Sequence, residues 1–158
     1  MTKRMIMAAL ALAGIFLALY LLFYKLGMLG SLNCSVGSCE TVNTSKWATF
    51  LGFPVAGWGV AWYVVAFAVS LAGTTERFAG SRHLSLALLG LTASGLLFSA
   101  YLTWLELFVI NAICQWCVVS AVIVLVMFVL SVLDLRETSE AAVGEFENAG
   151  KETLPGPP

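Results

Sequence analysis

Four stretches of this chain carry no Asp, Glu, Lys or Arg: Met5 to Tyr24, Trp47 to Thr75, Leu84 to Leu105 and Leu107 to Leu133. Each reaches roughly the 20 residues a helix needs to cross a hydrocarbon layer. A lipid-exposed backbone must satisfy its own polar groups, which leaves the helix as the form such runs take. The charge spacing therefore predicts an all-α integral membrane protein, a bundle of four transmembrane helices. Composition agrees, with 60% hydrophobic residues, 11% charged residues and a mean hydropathy of +0.94. A soluble domain is excluded at that level of apolarity. A formal net charge of -1 gives no support for a nucleic-acid partner.

The interruptions are too short to fold independently, so residues 1–135 read as one membrane domain. Beyond Asp134 the composition flips. Glu137, Glu140, Glu145, Glu147 and Glu152, followed by Leu154-Pro155-Gly156-Pro157-Pro158, predict a disordered acidic tail over 136–158.

Lys3 and Arg4 ahead of the first run also fit a signal peptide. Its apolar part, however, exceeds the about 7 to 15 residues of a signal h-region, and Lys25-Leu26-Gly27-Met28 lacks a small-residue cleavage site. With the first helix retained, Lys3, Arg4, Arg77, Arg82 and Arg136 fall on one side, and only Lys25 and Lys46 lie near the other. The positive-inside rule then predicts both termini and the tail in the cytoplasm. Both outward crossings end near cysteines, so all four thiols are expected at the outer face: the periplasm of a bacterium, or the ER lumen of a eukaryote, where disulfides persist.

In chain order, helix one is expected over about 5–26. Tyr20, Phe23, Tyr24 and Lys25 suit the headgroup level. Gly27 and Gly30 break that helix, and a small, polar loop carries Cys34 and Cys39. From Glu40 to Leu51, Val42, Trp47 and Phe50 recur at nearly helical spacing, which predicts a short amphipathic helix in the membrane surface that lids the bundle. Helix two follows over about 55–71, with Pro54 tolerated in its first turn. Gly57 and Gly59 leave room there for helix packing or a flat ligand, and Trp58, Trp62 and Tyr63 read as belt or core residues. His83, the single histidine, reads as solvated. Helix three, about 84–104, offers Gly90, Ser94, Gly95, Ser99 and Ala100 as a small-residue seam. Glu106 is expected in the interface just past its end, and helix four over about 113–133.

The chemistry rests in the cysteines. Cys114-Gln115-Trp116-Cys117 is a C-x-x-C at a helix start, where free backbone N–H groups and the helix dipole favour a thiolate at the first cysteine. Cys34 and Cys39 are the other two of the chain's four cysteines. The topology brings both pairs to one face, so a single redox site is possible.

The ordered set of the paired-cysteine loop, Cys39-Glu40-Thr41-Val42-Asn43-Thr44-Ser45-Lys46-Trp47, Gly52-Phe53-Pro54-Val55-Ala56-Gly57-Trp58-Gly59 and the terminal C-x-x-C resembles the vitamin K epoxide reductase family in its bacterial form, across about residues 5–135. The resemblance implies a four-helix bundle around a quinone, ubiquinone or menaquinone, that accepts electrons from the C-x-x-C. It implies catalytic roles for all four cysteines. Cys117 would lie nearest the quinone with Cys114 as its resolving mate, Cys39 would exchange with Cys114, and Cys34 would face a thioredoxin-like periplasmic oxidoreductase. Ser45 matches the Ser/Thr that supports the quinone site. The C-x4-C loop is shorter than in many relatives. Val55 and Ala121 stand where animal members bind the quinone through Asn and Tyr, which places epoxide reduction in doubt. No thioredoxin-like domain is fused within these residues, so the partner is expected as a separate protein.

Three alternatives compete. A DsbB-type quinone-coupled oxidase also has four helices and two cysteine pairs, but carries them in the reverse order. A zinc site built from all four cysteines fits numerically, although the expectation is no metal. Structural disulfides in a membrane scaffold would need no catalysis at all.

Overall fold

The structure is a computed structural model that describes residues 2–35, 37–75, 78 and 80–152, without the side chains of 145–152. Arg77 and residues 153–158 lie outside the described residues. Helix α1 spans Thr2–Lys25, a short α2 spans Cys39–Thr44, α3 spans Val55–Ala72, α4 spans Arg82–Leu105 and α5 spans Gln115–Glu152. All but α2 are long and apolar enough to cross a membrane. The chain is thus a membrane helical bundle, as its charge-free runs predict.

α1 packs chiefly on α3 and α4 on α5, with α1 also resting against α5. Small residues set how closely the helices approach. A Cβ on Gly14 would overlap the Tyr63 ring, and one on Gly95 would overlap the indole of Trp62. The core between the helices is Ala11, Ala18, Tyr63, Ala66, Val124 and Met127. Outward, Phe16, Leu97 and Val122 are exposed, as side chains facing lipid should be.

The expected seam on α4 is displaced. Gly90 and Ala100 are exposed, Ser94 and Ser99 border a cavity inside the bundle, and the buried stripe is Ser85, Leu88, Thr92 and Gly95. That stripe advances by three and four residues in turn, the spacing that keeps side chains on one helix face. It also lets two hydroxyls meet: Thr92 Oγ1 lies 2.8 Å from Ser131 Oγ of α5.

Nor does the last helix stop near residue 133. α5 continues to Glu152, so residues 136–152 are helical where a disordered tail was expected. Two charged contacts hold the extension. Arg4 pairs with Asp134, and Lys3 pairs with Glu137 one turn further on. Leu135 to Val143 contains neither Gly nor Pro, and its Leu, Arg, Glu and Ala are good helix formers. At about 1.5 Å per residue, 38 residues reach roughly 57 Å, well past a hydrocarbon layer of roughly 30 Å.

The lid is shorter and more broken than one helix over 40–51. After α2 comes a single 3₁₀ turn, Lys46–Ala48, and then a hairpin in which β1, Thr49–Phe50, pairs with β2, Phe53–Pro54. Thr49 and Phe50 favour strand, and Gly52 at φ +82° provides the tight reversal. Phe50 locks the hairpin down. Its ring meets Trp58 of α3 and Phe98 of α4 edge-on, and its carbonyl accepts the Trp58 indole N–H at 3.2 Å.

Candidate redox site and cavity

The loop after α1 folds back onto the segment ahead of α5. Gly37 forms an antiparallel bridge with Cys114, and the Ser38 N–H donates to the Ile113 carbonyl at 2.9 Å. Gly37 sits at φ +91° with its missing Cβ directed at that carbonyl, so only glycine suits this crossing. Further along the same loop, the Trp116 indole N–H donates to the Asn33 carbonyl at 3.1 Å. The Asn33 N–H in turn donates to the Tyr20 hydroxyl, and the Tyr20 ring meets Trp116 edge-on at 5.7 Å. Tyr20 therefore does more than anchor α1 at the membrane surface.

The clasp gathers all four cysteines into one cluster, with Leu21, Leu32 and Val42 filling between them. Cys34 and Cys39 are joined as a disulfide, their Cα atoms 6.3 Å apart, whereas Cys114 and Cys117 are free thiols. A four-cysteine zinc site would require four thiolates, and here two of the sulfurs are bonded to each other. Cys39 and Cys114 are buried, whereas Cys34 and Cys117 are half-buried.

Cys114 is the residue that leads into α5, and its carbonyl accepts the first helical bond, from Val118 N–H at 3.1 Å. The Cys117 S–H donates to the Cys114 sulfur and is the largest influence holding that thiol below its usual range. The N–H groups of Cys117 and Trp116 at the helix start act in the same direction. Burial and the charge of Glu106 oppose them without reversing the balance. The direction is the one expected at a helix start, but its largest cause is the Cys117 thiol rather than the helix N–H groups.

Sequence reasoning placed Glu106 in the interface, and the structure places it elsewhere. The last turn of α4 widens into a π-helical turn, Glu106–Ile110, ended by Asn111 in a left-handed conformation. The wide turn leaves Glu106 only 4% exposed and turned inward. Its Oε2 accepts the Cys114 N–H at 3.0 Å, and the carboxylate also meets the Cys117 thiol. The signal was available: Glu106 is the one charge separating two long apolar runs, eight residues ahead of Cys114.

Beneath the lid, among α1, α3, α4 and the start of α5, lies a cavity of about 350 Å³. That volume suits a small-molecule site. Aromatic and aliphatic side chains form most of the wall, with Lys25, Asn43, Ser45, Tyr63, Glu106 and Ser120 as polar points. Cys117 opens onto the cavity, and Cys114 does not. Of the positions marked by animal relatives, Val55 lines it and Ala121 does not. Ser45 is there, its hydroxyl donating to the Val42 carbonyl at 2.7 Å. Lys25 reaches past the anchoring role expected of it, since its Nζ donates to the Asn43 carbonyl at 2.6 Å and ties α1 to the lid. Opposite, Tyr63 Oη lies 2.8 Å from Ser120 Oγ.

The sequence profile of the vitamin K epoxide reductase family matches residues 5–132 of the 158.

Proposed function

The chain belongs to the vitamin K epoxide reductase family and is a multi-pass membrane oxidoreductase, and from that premise we propose that it transfers electrons from a thioredoxin-like dithiol to a membrane quinone. The observation that carries this reading is the division of the cysteine cluster. One sulfur pair is partly exposed through Cys34, and the other opens onto an apolar cavity through Cys117.

Thiol–disulfide exchange needs a thiolate in reach of a disulfide. A reduced partner attacks Cys34 and releases Cys39, which is buried beside Cys114 and passes the electrons inward. Cys114 and Cys117 then hold two electrons as thiols, the state they have here opposite an oxidised Cys34–Cys39 pair. A quinone supplies a sink for two electrons and two protons. The cavity fits such a group, because its wall accepts a flat apolar ring while Lys25, Asn43, Ser45 and Tyr63 offer hydrogen bonds at the edges. The lid and the aromatic walls restrict the approach of water to the inner thiols. The net change converts the partner's dithiol to a disulfide and the quinone to a hydroquinone.

The same reading sets the orientation. Lys3, Arg4, Arg82 and Arg136 lie at one end of the bundle and Lys25 and Lys46 at the other, a distribution that supports cytoplasmic termini and cysteines outside the plasma membrane. A partner on that side that introduces disulfides into exported proteins would be reoxidised here.

Purified protein given a reduced thioredoxin-like donor should bleach the absorbance of a short-chain quinone catalytically, and Cys117→Ala should abolish it. Full turnover in Cys117→Ala, or none in the wild type, overturns the reading.

A further inference from the structure

Joining Cys114 and Cys117 as a disulfide requires both sulfurs to lose their protons. The Cys114 thiol is held below its usual range chiefly because the Cys117 S–H donates to its sulfur. If Cys114 took that proton as Cys117 reacted, one sulfur would be activated at the expense of the other. A second acceptor is needed, and it must touch Cys117 without facing bulk water. We infer that Glu106 is a catalytic base, taking the Cys117 proton onto its carboxylate and holding it at the cavity wall for the reduced acceptor. This inference rests on the function proposed above.

The geometry is built for that task. A widened turn at the end of α4 brings the carboxylate inward, where Oε2 is fixed by the Cys114 N–H at 3.0 Å while the carboxylate also meets the Cys117 thiol. Irregular π turns of this kind recur at functional sites in helices. Glu106 lines the same cavity as Cys117. The other titratable groups facing that space from packed elements are Lys25 on α1 and Tyr63 on α3. Lys25 donates to the Asn43 carbonyl and Tyr63 bonds Ser120, so each serves as a donor there rather than as a base. From the lid, Cys39 is in the disulfide and Glu40 is turned to the Leu32 N–H. Among the described residues, Glu106 is the carboxylate in contact with the pair.

The balance closes. The Cys117 S–H bond breaks, with the proton on Glu106 and the electron pair on sulfur. The S–S bond to Cys114 then forms, and two electrons leave the sulfur pair for the quinone. Two protons accompany them, one from Glu106 and one from water, the latter replacing the proton that Cys114 gave up on ionising.

The test reads Cys117 directly, without quinone. Reduced full-length protein in detergent is exposed to N-ethylmaleimide across a pH series, and modification of Cys117 is localised by tandem mass spectrometry. With a base in contact, the wild-type rate should rise with pH and level off before ordinary thiols ionise. Glu106→Gln keeps an oxygen for the Cys114 N–H but cannot take a proton. Losing the charge beside the thiol also eases its ionisation, so the mark of the missing base is the shape of the profile: the Gln rate should climb with pH without a plateau, whereas Glu106→Asp should restore the plateau. A Gln variant that keeps the wild-type plateau overturns the inference. So does a wild-type rate that climbs without levelling, which decides the matter even if the variants fail to fold. Quinone reduction measured alongside separates the two ideas. Intact quinone turnover with an unchanged Gln profile removes only the base, whereas absent wild-type turnover removes the proposed function.

Discussion

Arg4 and Asp134 meet almost at the two ends of the bundle's sequence: Nε lies 3.0 Å from Oδ1 and Nη2 3.0 Å from Oδ2, and both residues are buried. The remaining guanidinium donors reach the Gly73 and Phe78 carbonyls at 2.9 and 3.0 Å and the Ser85 hydroxyl at 2.9 Å. Ser85 Oγ donates onward to Asp134 at 2.7 Å. One side chain thus joins α1, the α3–α4 turn, α4 and α5 at the end remote from the cysteines.

Truncating either partner strands a buried charge, which typically destabilises by about 3 to 5 kcal/mol. Arg4→Ala and Asp134→Ala should each lower the melting temperature of the detergent-solubilised protein sharply. Arg4→Met combined with Asp134→Leu should recover most of the loss, because no charge is left unpaired. Singles that melt like the wild type would show that the network contributes nothing.

Cys114 carries a pH prediction with a definite sign. Its thiol is held below the ordinary thiol range, mainly by the Cys117 S–H. In reduced protein, its thiolate absorbance in the ultraviolet should therefore grow in at a pH lower than the about 8.5 of a free cysteine. Cys117→Ala removes the largest influence and leaves burial and Glu106 in place, so the same transition should move to higher pH. A titration unmoved by that change would mean that the helix start alone sets the thiolate.

The direction of exchange is open to trapping. Cys34 is half-buried and Cys39 buried, so a soluble partner should attack Cys34. Cys39→Ala leaves Cys34 without its bonded mate, and a thioredoxin-like partner should accumulate on it as a reducible adduct on a gel. An adduct that forms only in Cys34→Ala would reverse the assignment.

The parts of this molecule that were legible in the sequence are those governed by solvent. Charge-free runs mark the spanning helices because lipid accepts nothing else, and the C-x-x-C at the start of α5 declares its chemistry by position. The illegible parts depend on pairing across the bundle. Glu106 and Arg4 both look like surface charges when read along the chain, since their partners lie at Cys114 and Asp134 and only folding brings them inward. The helical extension past residue 135 was hidden for the same reason: Glu137 reads as part of an acidic tail until Lys3 is placed beside it. The seam on α4 was misread because small residues occur on both of its faces, and size alone does not tell which face meets α5.

Gly37 separates the two halves of the proposed reaction. Its bridge to Cys114 holds the outer pair against the inner one, and at φ +91° a side chain there would be strained as well as driven into the Ile113 carbonyl. Gly37→Ala should push the loop off that strand and slow electron transfer from Cys39 to Cys114 by tenfold or more. The inner pair, its cavity and Glu106 are built from α1, α3, α4, α5 and the lid rather than from the Gly37 loop, so they should survive. Steady-state turnover with a reduced partner should therefore collapse, while a single turnover of quinone by protein whose inner thiols were reduced chemically should keep nearly its wild-type rate. If both rates fall together, the loop shapes the inner site as well, and if neither falls, the bridge is not what brings the sulfur pairs into exchange.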